Sequence, residues 1–284
     1  MEFKYEVYGL GVSSTFDLGI PTKHGIRPAL QLVIMSRFKR LRRLPATPSY
    51  LVRGETHFLR IPDFGQFSFR GRRLCLRLDS PQDREDIQAA VLNQGIPFAL
   101  TCQGEILLHA AAIWTRSGAV LFAGPSGMGK SNLAALYASR GHKILSDNLV
   151  RLDQKRNRIY PAFPEIRLFA KDLRYHRSLA RRPKNSFAKR RLAVGARFHA
   201  RPTPLKKIYF IQKSKSNLRF HSLRMAEKFS GLLSNATLYT TASQKMDSQR
   251  YARLIRLAQE IPMERLSLPH RRNAEMNLDR MLRP

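Results

Sequence analysis

Ala119-Val-Leu-Phe-Ala-Gly-Pro-Ser-Gly-Met-Gly-Lys-Ser-Asn-Leu133 is the stretch whose reading decides the fold. Ala119 to Ala123 is an apolar run of strand length. A glycine-rich turn follows, and Asn132 to Arg140 then reads as a helix closed by Gly141. Gly124, Gly129, Lys130 and Ser131 satisfy the phosphate-loop (Walker A) pattern G-x-x-x-x-G-K-[ST], with Pro125, Ser126, Gly127 and Met128 in its free positions. The spacing has a physical reason. Gly127 and Gly129 let the backbone turn with positive φ and bring amide N–H groups close to an anion. Those groups and the helix N-terminus form a nest for the α- and β-phosphates of a nucleotide. Lys130 can reach the β- and γ-phosphates, and the Ser131 hydroxyl can ligate Mg²⁺. Asn132 completes the candidate nucleotide-binding set, 124–132.

Downstream, Lys143 to Ser146 reads as a strand with Asp147 at its C-terminal end. In a parallel α/β sheet that edge is where ligands bind. A Walker-B aspartate belongs there, holding the Mg²⁺ shell or accepting a hydroxyl proton. Asn148 can offer a side-chain oxygen to the metal but cannot act as a base. Upstream, Ile106 to Trp114 reads as one buried strand, with Arg116-Ser-Gly118 turning the chain into the loop strand.

Toward the N-terminus, the alternating start Met1-Glu-Phe-Lys-Tyr-Glu-Val-Tyr reads as a strand rather than a signal peptide. Ala29–Met35, Tyr50–Val52, His57–Ile61, Gln66–Phe69 and Arg73–Leu78 add short strand candidates, broken by glycine and proline. Their spacing predicts a small β-rich region over 1–80, with a basic run at Arg37–Arg43 and no catalytic constellation. A helix follows from Pro81, acidic in its first turn and apolar from Ile87 toward Ile96, and further helix is expected through Leu100. Residues 81–284 are expected to form the nucleotide-binding domain.

Past the Asp147 strand, a hairpin is predicted around Gln154–Asn157. Between Lys171 and Lys207 stand thirteen Lys/Arg and one acid, Asp172, which reads as a mobile basic lid or a solvated insertion. Strand signals recur at Leu205–Gln212 and Ile261–Leu268, and helical periods at Met225–Leu233, Gln249–Glu260 and from Asn273.

The net charge of +31 and pI near 11.2 favour acidic partners, nucleic acid or an anionic surface without naming one. No run of 18 apolar residues is present, so no membrane span is expected. Cys75 and Cys102 lack metal-ligand or CxxC spacing and read as free thiols of a reducing cytosol, so a cytoplasmic location is expected.

Leu108-His109-Ala-Ala-Ala-Ile, the loop stretch from Gly118 to Ser131, and Arg140-Gly-His-Lys-Ile-Leu-Ser-Asp147 resemble the HPr serine kinase family. More closely they resemble the stand-alone branch that includes kinases tailoring lasso-peptide precursors. Tyr5-Glu-Val-Tyr-Gly-Leu-Gly, Pro204-Leu-Lys-Lys-Ile-Tyr and Ile261-Pro-Met-Glu-Arg-Leu resemble that branch as well. The resemblance implies an α/β fold: a P-loop kinase core related to phosphoenolpyruvate carboxykinases, with a small N-terminal β-rich part. It implies transfer of the ATP γ-phosphate to a Ser hydroxyl of a peptide or small protein, with ATP and Mg²⁺ as cofactors. A ribosomal peptide precursor or another acidic substrate fits the branch and the charge, and an oligomer is compatible with the sequence. By the same resemblance His109 lies near the catalytic centre with Asp147 and Lys130. Asp147 matches the first of two adjacent aspartates; the second is Asn148 here, which weakens the metal site or the base. The glycine- and arginine-rich loop that bifunctional members carry for the reverse reaction is not found, so dephosphorylation is not expected. Two alternatives stand beside the serine kinase: a degenerate nucleotide-binding protein without transfer activity, motivated by Asn148, and a nucleic-acid-binding ATPase, motivated by charge and less favoured because no nucleic-acid motif accompanies it.

Overall fold

The computed structural model describes residues 1–35, 49–153, 156–176, 184–186, 189–214, 218–237, 248–269 and 281–282. The basic run at 37–43, the tip of the 154–157 hairpin, the middle of the 171–207 stretch and most of the helix expected from Asn273 lie outside them. The chain divides into two compact units, one built on Met1–Glu105 and the other on Ile106–Lys184, Ala188–Thr237 and Asp247–Pro284.

The first unit is a seven-stranded sheet: β1 (Phe3–Val7), β2 (Leu10–Ser14), β3 (Leu30–Met35), β4 (Ser49–Arg53), β5 (Thr56–Ile61), β6 (Gly65–Arg70) and β7 (Arg73–Leu78), in spatial order β1-β2-β3-β7-β6-β5-β4. Alternation sets its buried face: Phe67 and Phe69 on β6, and Leu74, Leu76 and Leu78 on β7. Helices α1 (Arg84–Ala90) and α2 (Ile96–Cys102) follow, joined by a π-turn at Val91–Gly95. A Cβ on Gly95 would lie 2.5 Å from the Phe67 ring, so glycine there allows helix and sheet to touch. Cys75 and Cys102 are not joined in a disulfide.

After α2 the chain continues with β8 (Ile106–Leu108), β9 (Ala110–Thr115), β10 (Gly118–Ala123), α3 (Lys130–Ser139), β11 (Lys143–Ser146), β12 (Val150–Leu152), β13 (Arg158–Tyr160), β14 (Glu165–Phe169), β15 (Lys184–Ser186), β16 (Lys189–Ala193), β17 (Thr203–Ser214), β18 (Arg219–Ser222), α4 (Met225–Asn235), α5 (Ser248–Glu260) and β19 (Met263–Pro269), all in the second unit except Asn185 and Ser186 of β15. Strand β10 is buried at every residue, as a continuous apolar strand inside a mixed sheet should be. It runs parallel to β17, which runs parallel to β19; β9 and then β11 follow on the other side, and β18 borders β19. The first residues of β17 pair instead with β13, which continues through β12 to β8. Successive β17 residues face opposite ways. Tyr209 and Ile211 join Val120, Phe122, Leu133, Tyr137 and Leu266 in the core that holds α3. Phe122 stacks 5.7 Å from both Tyr137 and Tyr209. Phe210 faces α4 across the other side.

Two expectations are corrected. The segment 106–114 is not one strand. Leu108 pairs with Val150 and Ala110 with Ala123, so the chain changes partner at His109. The described part of 171–207 is not a free basic lid. Lys189–Ala193 pair with β14 in register, Leu192 and Val194 enter the α3 core, and Arg191 is 1% exposed. Its charge is matched by Glu165, which accepts from the guanidinium at 2.8 Å through both oxygens. No described helix is long and apolar enough to cross a membrane.

Candidate functional site

Strand β10 ends at Ala123, and the next residues need backbone that only glycine adopts without strain. Gly127 and Gly129 have φ of +81° and +99°, and the chain enters α3 directly from Gly129. The helix's first hydrogen bond runs from the Leu133 N–H to the Gly129 carbonyl at 2.9 Å. The N–H groups of Lys130, Ser131 and Asn132 therefore have no partner within the helix, and the positive end of its dipole stands at the loop mouth.

Lys130 is 5% exposed. Its Nζ donates to the Gly124 carbonyl at 2.6 Å and the Pro125 carbonyl at 2.8 Å, leaving the third ammonium hydrogen for another acceptor. Burial pushes its pKa down to about 8; Asp147 works against that shift and Lys189 with it.

Asp147 directly follows β11 and is 3% exposed. Its Oδ2 accepts the Arg167 N–H from β14 at 2.9 Å, and the Ser131 hydroxyl also bonds to this carboxylate. Oδ1 is buried with no hydrogen-bond partner. Burial raises the carboxyl pKa, while the Arg167 N–H, Ser131 and the Lys189 and Arg167 charges pull it back. A buried carboxylate with one open oxygen is a costly arrangement for structure alone.

His109 occupies the break between β8 and β9, where its N–H donates to the Asn235 carbonyl at the end of α4, 2.7 Å away. Burial, reinforced by the charges of Lys130 and Lys189, lowers its pKa to about 4. It is a neutral imidazole at ordinary pH. Asn148 adopts φ of +86°, and its carbonyl accepts the Ala110 N–H at 3.2 Å, tying the end of β11 to the start of β9.

The structure thus brings Lys130, Ser131, Asp147 and His109 to one edge of the sheet. It does not bring every residue of the loop there. The Met128 side chain packs against the α3 core, and the Asn132 amide donates to Asp172 at 3.1 Å. Pro125, Ser126 and Gly127 are exposed.

Sequence reasoning missed two cations. Arg167 lies on β14 beside Asp147, and Lys189 on β16 stands opposite Phe169 in register, its Nζ 5.0 Å from that ring. Burial lowers the Lys189 pKa, with Asp147 opposing and Arg167 assisting. The local signal was the alternation in Glu165-Ile-Arg-Leu-Phe169, which separates a polar face from the buried Ile166 and Leu168.

Among the described residues no cluster of three or more His, Cys, Asp or Glu could hold a metal ion by itself. The donor set that is present suits Mg²⁺, which takes one or two carboxylates and completes its shell with substrate oxygens. The Ser131 hydroxyl and the open Asp147 oxygen are hard ligands of that kind.

No known protein family's profile matches this chain, and no curated protein does. Among solved structures the chain is similar to the HPr(Ser) kinase/phosphatase from Coxiella burnetii, at 13% identity and a TM-score of 0.30, over 62% of this chain and 86% of that one.

Proposed function

We propose that this protein is an ATP-dependent serine kinase acting on a peptide or small protein, of the HPr serine kinase-like kind. The observation that carries the reading is the convergence of Lys130, Ser131 and the half-satisfied carboxylate of Asp147 on the mouth of a glycine loop that opens a helix. The loop amides and the α3 N-terminus cradle the phosphates. Lys130 donates its third hydrogen to a γ-phosphate oxygen. Ser131, with the amide oxygen of Asn148, would hold Mg²⁺, which leaves Oδ1 of Asp147 for the acceptor's proton. That ion, when bound, neutralises charge on the β- and γ-oxygens.

The acceptor hydroxyl attacks the γ-phosphorus. The new O–P bond forms as the bond to the β–γ bridging oxygen breaks, its electron pair leaving with ADP. Asp147 orients the hydroxyl and takes its proton at Oδ1. Lys130, Arg167 and Lys189 surround the transferring group with positive charge fixed in advance, the largest single contribution such sites make. The net charge of +31 favours an acidic substrate, such as a ribosomal peptide precursor.

The test is transfer of label from γ-³²P-ATP to serine peptides by the wild type and Asp147→Asn. Loss of the base lowers the rate about 10²- to 10⁴-fold while Mg·ATP still binds. A variant as fast as the wild type removes Asp147 from the mechanism. Asn148, which stands where the resembling family has a second aspartate, favours one other reading: nucleotide binding without transfer. That reading requires a wild type that binds Mg·ATP and transfers nothing, with transfer appearing in Asn148→Asp.

A further inference from the structure

A cleft of about 380 Å³ opens on the side of the sheet away from α3. Its inner wall is Gly124 and Pro125, the two residues whose carbonyls anchor the Lys130 ammonium. Asn235, whose carbonyl holds the His109 N–H, also lines it. The cleft therefore borders the glycine loop beside the Lys130 ammonium.

The lining defines what fits. Phe210 forms the floor, and α4 crosses over it closely enough that a Cβ on Gly231 would stand 2.8 Å from the ring. Along α4, Ala226, Ser230 and Ser234 recur every fourth residue and present only small side chains to the opening. Among the described residues the cation at the rim is Arg265, paired with Glu227 of the same lining at 2.8 Å. The cleft thus offers an apolar, electrically neutral seat with hydroxyls at its edge, set in a strongly basic protein.

We infer that this cleft seats an uncharged, apolar side chain flanking the acceptor serine of a peptide substrate; the inference rests on the kinase reading above. The basic surface draws an acidic peptide in, and the cleft fixes which serine meets the γ-phosphate. Ser230 and Ser234 supply hydrogen bonds to the peptide backbone beside it.

The experiment uses the full chain, γ-³²P-ATP and a positional-scanning library of serine peptides, with Mg·ATP thermal shifts measured in parallel. Ser230→Trp places an indole in the opening from an exposed helix position, and Ser234→Trp repeats the block one turn further on. The wild type is expected to prefer an apolar residue at one position next to the serine. Both variants are expected to lose about tenfold or more in kcat/KM, chiefly through KM, with the Mg·ATP shift retained. Unchanged transfer in both variants overturns the inference, as does a library labelled without side-chain preference. Loss of the Mg·ATP shift in both variants overturns it in favour of a nucleoside in the cleft. A wild type that shifts with Mg·ATP but labels no peptide overturns the peptide acceptor. A wild type that does not shift overturns the kinase reading itself.

Discussion

If the loop binds a nucleotide as proposed, the low pKa of Lys130 makes that binding pH-dependent in a direction the site fixes. Free in solution a lysine stays charged to above pH 10. Here burial brings the value to about 8, so the free protein loses this charge as pH rises through that point. A bound phosphate needs the charge and holds the proton on. At pH 7 about nine in ten free sites carry the proton, and at pH 9 about one in eleven. Affinity for Mg·ATP therefore falls about tenfold between the two, about 1.4 kcal/mol. His109 does not contribute, because with a pKa of about 4 it is neutral throughout. Lys189 is shifted in the same direction as Lys130, by burial. Titration calorimetry at both pH values, in two buffers of different ionisation heat, reads the affinity and the proton taken up at pH 9. In Lys130→Arg the guanidinium stays charged at both, so its affinity, whatever the absolute value, loses the Lys130 part of the slope. Equal wild-type affinity at pH 7 and pH 9, or an unchanged slope in Lys130→Arg, refutes the reasoning.

Two further outcomes follow from the same geometry. Gly129→Ala costs about 1–2 kcal/mol in urea unfolding and shrinks the Mg·ATP shift. The residue has φ of +99° with no atom within 4 Å of the added methyl, so backbone strain is the whole cost. Arg191→Ala strands the buried Glu165 carboxylate and destabilises by about 3–5 kcal/mol, whereas replacing both partners by apolar residues of similar volume recovers most of the loss.

The sequence was most informative where chemistry restricts residue choice at fixed spacing. The glycines at 127 and 129 mark backbone that other residues resist, and an apolar run before them marks a strand. The observed β10 and α3 begin and end within two residues of that reading. His109 was harder to place. Nothing in Ile106-Leu-Leu-His-Ala-Ala-Ala resembles a turn; the strand breaks because Leu108 finds a partner on β12 and Ala110 finds one on β10. Partner exchange is a tertiary event and leaves no local signature. Lys189 was hidden for a different reason. Thirteen basic residues in one stretch look solvated, because charge repels charge and prefers water. Its described C-terminal part is nonetheless threaded into the fold by Leu192 and Val194, and by Glu165 neutralising Arg191 from another strand. An acid twenty-six residues upstream does not show in local composition.

Binding of a nucleoside triphosphate to the glycine loop through Lys130 is measured by thermal-shift titration of the wild type and Lys130→Ala with Mg·ATP. A ligand at a hundred times its Kd adds about 2.7 kcal/mol of stability. A saturable rise in Tm is expected for the wild type and none for Lys130→Ala at the same concentrations. A wild type that does not shift, or a variant that shifts equally, contradicts it.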